Sequence, residues 1–263
     1  MTRDRRLGRR NPLGTVLGGS PPITAWTPAQ LGGAFFWVRG DLGVTTSGGV
    51  VDQWNDQIGG RNLVQTGTPR PAYSSSIAGL NNNAGVTGDG VNDKLPFAGS
   101  LSDWRFLHDG TGCTIYLVVR TPAAASEGSI FESARVSVGN TGFTFYHQAA
   151  GNPIIRVTNS SGTPLWTHSG TAVANSTTYS YIITHSTAAG YSITRNGSVI
   201  ASGSYTGSAA TGNANSLPGL FDSTTSITIW SNWTAGELAL ATSVASAGDM
   251  TRLQAYSVAR YGV

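Results

Sequence analysis

Along most of this 263-residue chain, short apolar runs alternate with clusters of Gly, Ser, Thr, Asn and Pro. The runs AFFWVRG (34–40), VVDQWND (50–56), CTIYLVVRT (113–121), GSIFES (128–133), GFTFYHQ (142–148), PIIRVTN (153–159), TYSYIITHS (178–186) and SITIWSN (226–232) have strand length and strand composition. Regularly spaced short strands with turn residues between them predict a β-sandwich. Two segments are more specific. GYSITRNGSVIASGSY alternates polar and apolar residues on both sides of Asn196-Gly197, and both residues tolerate the positive φ of a type I′ turn, so this is a β-hairpin. SAGDMTRLQAYSVARYGV reads as the one clear helix: Ser246 caps it, Asp249 follows three residues on, Met250, Leu253, Val258 and Tyr261 form the apolar stripe, and Gly262 ends it.

Composition agrees with an all-β body. Only 11% of residues are charged, Glu occurs three times and Lys94 is the single lysine, which leaves little to clothe long surface helices. The predicted fold is a two-sheet antiparallel jelly-roll sandwich with one C-terminal helix and an extended N-terminal arm. Residues 1–33 form the arm and a Gly/Pro-rich linker, and residues 34–263 form the domain.

Charge divides the same way. The first ten residues carry five arginines against one aspartate, a net of +4, while the remaining eleven basic and twelve acidic residues give −1. A neutral body disfavours a nucleic-acid face on the domain. Arg3, Arg5, Arg6, Arg9 and Arg10 instead suit docking on an acidic partner surface, since guanidinium groups make bidentate contacts with carboxylates. NPLGTVLGGSPP after them is too rich in Gly and Pro for the apolar core of a signal peptide, and no run reaches membrane-spanning length. Cys113 stands alone, which excludes an intrachain disulfide. The four Asn-x-Ser/Thr sequons are read as turn chemistry.

Four segments resemble the concanavalin A-like lectin/glucanase superfamily in its LamG-like jelly-roll form. They are FFWVRGDLGVT with VVDQWNDQIGGRNLVQ, then RPAY with NNNAGVTGDGVNDKL, then YSITRNGSVIASG, and finally GELALATSVASAGDMTRLQAYSVARYGV. Their order spans residues 34–263. The resemblance implies two stacked antiparallel sheets and sugar-binding or adhesive roles; some members are glycanases, and versions with this opening and ending occur in bacteriophage structural proteins.

Glycanases of the superfamily use a Glu-x-Asp-x-x-Glu strand, whereas here Ser129 stands between Glu127 and Glu132 where the central Asp belongs. No Gly-x-Ser-x-Gly elbow appears, and His108, His147, His168 and His185 are scattered. The expectation is therefore a protein that is not an enzyme, with no catalytic residues and no cofactor, calcium apart. Asp89, Asn92 and Asp93 offer a cation mixed oxygen ligands, although Asx residues in a tight turn ordinarily bond their own backbone. Asp52, Asn55 and Asp56 are read the same way, as an Asx-rich turn behind an inward Trp54. Sugar binding needs an exposed aromatic platform; Trp104, Tyr146, Trp166, Tyr205 and Trp233 lie near loop-like sequence and are its candidates, with core packing the alternative for each.

The reading that joins these points is a virion structural, decoration or adhesion protein, of multi-copy or homo-oligomeric assembly, displayed on the particle surface. Its arm would dock on a capsid or tail protein and its jelly roll would face outward, where it could meet host-surface glycan. No membrane partner is expected, and nucleic acid is disfavoured. The alternative is a carbohydrate-binding module or glycanase acting on bacterial envelope polysaccharide.

Overall fold

A computed structural model describes residues 25–124, 127–134, 141–159, 161, 163–221 and 230–263. The five arginines of the expected arm lie outside the described residues, as does most of the run 226–232, whose described part is not a strand.

The strands are β1 (Ala34–Arg39), β2 (Val44–Ser47), β3 (Val50–Trp54), β4 (Leu63–Val64), β5 (Ala72–Ile77), β6 (Asn83–Thr87), β7 (Leu95–Pro96), β8 (Cys113–Arg120) and β9 (Gly128–Glu132). They continue with β10 (Gly142–His147), β11 (Pro153–Thr158), β12 (Pro164–Ser169), β13 (Thr178–Ser186), β14 (Gly190–Arg195), β15 (Ser198–Gly203), β16 (Gly219–Leu220) and β17 (Thr234–Ala241), and the chain closes with helix α1 (Ala247–Tyr261). Among the described residues they form two antiparallel sheets. The larger runs β15-β14-β13-β8-β17-β6-β5-β3-β2, with β1 also on β17 and β4 also on β3; the smaller runs β12-β11-β10-β9-β16-β7. The all-β sandwich with its terminal helix is thus what the molecule builds.

Phe36, Val38, Leu117, Ile183 and Leu238 of the large sheet meet Phe131, Phe143, Phe145 and Ile155 of the small one in a single core. The outer face of the large sheet carries a second cluster. There Trp37, Tyr116, Val118, Ile182, Ala239 and Ala241 receive Leu253 and Tyr261 of α1.

Local chemistry follows the sequence closely. At the hairpin, Asn196 and Gly197 take φ of 47° and 78°, the left-handed pair that the turn demands. The Ser246 side chain accepts from the amide of Asp249 at the start of α1, and Gly262 closes the helix at φ 75°. The stripe differs from expectation in one place: Leu253 and Tyr261 are buried, but Val258 points to solvent and Ser257 takes the inner position. The boundary differs too. Trp26 packs on Tyr256, and Leu31 is 5% exposed, so the folded body takes in residues assigned to the linker.

Candidate functional site

The five aromatic candidates do not form a platform. Trp104 lies in the 3-10 helix Leu101–Leu107, fully buried, its ring edge-on to Phe35 at 5.5 Å and to Phe97 at 5.0 Å. Trp233 is fully buried with its ring centroid 3.8 Å from that of His147. Trp166 stacks on Tyr191 at 4.6 Å, Tyr146 is buried, and Tyr205 is half-buried with its hydroxyl 2.6 Å from His185 Nδ1. The physical reason is common to four of them: Trp104, Trp166, Trp233 and Tyr205 pack in or against the inter-sheet core, whereas Tyr146 lies on the other face of β10.

The carboxylate candidates are occupied by their own loops. Asp89 Oδ1 accepts from the amides of Val91, Asn92 and Asp93, and Asp93 Oδ2 accepts from the amide of Asp89. Burial pulls the Asp89 carboxyl up but those amides outweigh it and hold it low, while burial and the Asp89 charge push Asp93 up to about 6. Asp56 accepts from the amides of Trp37, Ile58, Gly59 and Arg61, which makes the 55–61 turn a tie between loop and strand β1. Asp52 pairs with Arg70. Among the described residues no group of three His, Cys, Asp or Glu side chains is placed to hold a metal. Glu132 is buried in β9 and Glu127 is exposed before it.

A different set of residues converges where the outer face of the large sheet meets α1. Strand β17 carries a bulge between Ala235 and Glu237. A bulge changes the alternation of faces, so Ala235 and Leu238 both face the inter-sheet core and Glu237 turns outward under the helix. Glu237 is fully buried there. Its Oε1 accepts from Trp37 Nε1 at 2.6 Å and from the Tyr256 hydroxyl at 3.0 Å; its Oε2 accepts from the Tyr261 hydroxyl at 2.8 Å. Tyr116 and Ser257 share a hydrogen bond at 2.8 Å beside it.

Outside this cluster the side chains open into a cleft of about 420 Å³, lined by Trp26, Arg39, Asn81, Asn83, Tyr256 and Arg260 among others. Asp41 joins its two guanidinium groups, to Arg39 Nε at 2.6 Å and to Arg260 Nη2 at 2.7 Å. Arg39 Nη1 also donates to the Tyr256 hydroxyl at 3.4 Å. Asn81 and Asn83 donate their side-chain amides to the Arg260 carbonyl at 3.0 and 2.7 Å, fixing the end of α1 to the turn before β6. The Trp26 and Tyr256 rings meet edge to face at 6.2 Å, and beyond them a recess of about 280 Å³ is lined by Trp26, Arg252, Ala255, Tyr256 and Ala259.

Electrostatics separates floor from rim. Burial raises Glu237 to about 7, against the opposing pull of its three hydrogen-bond donors and of Arg260. Burial and the Glu237 charge hold the Tyr256 phenol well up, so it stays protonated. At the rim burial works against the charge on Asp41, but Arg39 and Arg260 outweigh it and its carboxyl is held low. The arrangement offers aromatic faces, guanidinium donors and amides to a ligand, above a carboxyl able to exchange a proton near neutrality.

These residues were missed because each is unremarked in its own stretch. One local signal was available: Arg252, Tyr256 and Arg260 recur at i, i+4 along α1 and so share one helix face. Elsewhere on the surface, a cleft of about 510 Å³ between α1 and the β14–β15 hairpin is apolar, lined by Ile182, Val199 and Met250. Another, of about 320 Å³, lies at His168, Thr171 and Arg195 and has no Trp or Tyr ring in its lining.

No protein-family model matches the chain, and no curated protein matches it. Solved structures do match. The fold is similar to that of a Trypanosoma rangeli sialidase in complex with sialic acid, with TM-score 0.58 and 10% identity over 84% of this chain and 32% of that one. It is similar to the binding domain of Paraclostridial mosquitocidal protein 1, with TM-score 0.60 and 12% identity over 86% of this chain and 52% of that one. It is similar also to the botulinum neurotoxin type G receptor binding domain, with TM-score 0.55 and 12% identity over 86% of this chain and 51% of that one. This chain spans about a third of the sialidase and about half of each toxin domain. At such identities the likeness is one of fold, a two-sheet β-sandwich. It corrects the expectation that the protein is not an enzyme. Sialidases share this sandwich alongside binding domains, so the missing Glu-x-Asp-x-x-Glu strand does not separate the protein from enzymes.

Proposed function

We propose that the protein is a glycan-recognition domain whose ligand seat is the cleft of Trp26, Arg39, Asn81, Asn83, Tyr256 and Arg260. One observation carries the reading: half-buried aromatic rings and fixed guanidinium and amide groups line a single opening. Sugars are held by that combination, an apolar ring face under the pyranose and a few placed polar groups for its hydroxyls. The shared fold of a sialidase in complex with sialic acid and of two toxin binding domains supports it. On a glycan array the full chain should bind selectively, and Trp26→Ala should abolish that binding without unfolding the protein. Selective binding that survives Trp26→Ala and Tyr256→Ala would move the seat elsewhere.

The domain belongs, in this proposal, on a virus particle, with Arg3, Arg5, Arg6, Arg9 and Arg10 docking it on an acidic capsid or tail surface. The concentrated charge of the first ten residues and the order of the motifs support that placement. Removing residues 1–24 should leave glycan binding intact and abolish incorporation into particles.

A second reading, hydrolysis of the bound glycan, is favoured by one feature. The Glu237 carboxyl, raised to about 7, lies one hydrogen bond behind Tyr256, which lines the cleft. Turnover of aryl glycosides, lost in Glu237→Gln, would establish it; an inactive native chain would confine the seat to binding.

A further inference from the structure

We infer that the sugar taken by this seat bears a carboxylate, which binds at Arg39 and Arg260 in place of Asp41. The inference rests on the glycan-binding reading above and narrows it to acidic sugars.

The geometry starts from a mismatch of charge. Two guanidinium groups from distant parts of the chain converge at the rim, and the carboxylate joining them belongs to Asp41, an exposed residue just past β1. Rim charge is therefore one positive unit in excess. Arg260 Nε is buried and has no hydrogen-bond partner, although a guanidinium donor at that depth ordinarily finds an acceptor. A ligand carboxylate in place of Asp41 would bring a second acceptor oxygen to this underused guanidinium. Arginine's planar fork matches a carboxylate with two parallel hydrogen bonds, and the Asp41 pairs it displaces are partly solvated, so their loss costs little. Asn81 and Asn83 stand on the same wall to meet ring hydroxyls, and Trp26 and Tyr256 take the apolar face. A neutral sugar would use the rings and amides but leave both arginines on Asp41.

The floor tunes the rim. Glu237 is faced by Trp37 and Arg39 from β1, by Tyr116 from β8, and by Tyr256, Tyr261 and Arg260 from α1. When it is ionised, its charge cancels the excess at the rim; when it is protonated, the excess remains. Acidic sugars should therefore bind more tightly as the pH falls through about 7, and neutral ones should not respond.

The test is titration calorimetry on the full chain with matched oligosaccharides ending in glucuronic acid, galacturonic acid or N-acetylneuraminic acid, each beside its neutral parent. We expect at least one acidic member to bind about tenfold more tightly than its parent, the scale of one charge-assisted hydrogen bond. Arg260→Gln should erase that preference. Asp41→Asn, which removes the competing carboxylate and leaves both arginines, should enlarge it and keeps the test open if Arg260→Gln misfolds. Equal binding of acidic and neutral members, unchanged by Asp41→Asn, overturns the inference and leaves the glycan reading standing. An acidic preference indifferent to both substitutions also overturns it, by placing the carboxylate elsewhere. Binding of neither kind overturns the glycan reading together with the inference.

Discussion

The two faces of the large sheet bury titratable groups in opposite ways. Between the sheets, His147 and His185 sit among aromatic rings, and burial drives both imidazoles down to about 3, so they are neutral at any working pH. Under helix α1, Glu237 is equally buried but receives three hydrogen-bond donors and lies near Arg260, and its carboxyl titrates at about 7. Desolvation drives each group toward its neutral form; the hydrogen bonds at His147 and His185 do not offset it, whereas the donors and Arg260 around Glu237 hold its carboxyl where a proton can exchange. The inner face is therefore a packing surface. The outer one, at its edge, is a chemical one.

The contrast breaks hardest at the core. Trp104→Ala removes a fully buried ring that contacts Phe35, Phe36 and Phe97. It should cost about 3–5 kcal/mol in denaturant unfolding, the range for buried aromatic truncation. A loss under about 1 kcal/mol would mean that Trp104 is not part of the core and would reopen its place as a sugar platform.

The next test uses pH, because the two faces respond with opposite sign. Stability rises with pH wherever the unfolded chain holds more protons than the folded one. The two histidines, depressed from 6.5 to about 3, take protons only on unfolding, so acid below about pH 6.5 removes their contribution. Glu237, raised from 4.5 to about 7, is the reverse: the folded state holds its proton, and stability is lost as pH rises through 7. Asp93, raised to about 6, adds to the Glu237 side. The histidine and carboxyl contributions therefore oppose one another, and burial lowers His108 and His168 as well, so the Glu237 part is read as the difference between the native chain and Glu237→Gln. Between about pH 6.5 and 8 Glu237 should account for a decline of about 1 kcal/mol, which Glu237→Gln removes. A decline of the same size in that variant would assign the effect to another group.

How much of this was legible in the sequence depends on the range of the interaction. The strands β1, β8, β9, β10, β11 and β13 fall within a residue or two of the apolar runs, because alternation and turn chemistry act between near neighbours. The same holds for the Asn196-Gly197 turn and the Ser246 cap. The stretch from Val51 to Tyr73 was also readable. Trp54 is buried, and Asp56 closes its own turn and reaches back to Trp37. The site was not legible. Trp37 and Glu237 are 200 residues apart, Asn83 and Arg260 are 177 apart, and what joins them is a sheet pairing plus the half-turn in phase added by one bulge. Nothing in a local pattern encodes a phase shift of that kind. The choice between platform and core packing for the aromatic candidates was open for a related reason, since proximity to a loop does not say on which side of the sandwich a ring will close.

The smallest structural effect tests the functional half of the comparison. Trp26 is half-buried, packs at the margin of the outer-face cluster and meets the Tyr256 ring edge to face. Aromatic pairs of this kind contribute about 0.5–1.5 kcal/mol, so Trp26→Ala should lower unfolding stability by no more than about 1 kcal/mol. The same ring lines the cleft together with Tyr256, where it can meet a pyranose face. Its loss should weaken glycan binding by more than about tenfold, as truncation of a tryptophan at the centre of a contact typically does. Trp104 and Trp26 then separate cleanly: one variant unfolds the domain, and the other keeps a folded domain that no longer binds. If Trp26→Ala instead cost as much stability as Trp104→Ala, residue 26 would be a core residue and not a wall of the cleft, and the cleft would lose its argument as a surface built for a ligand.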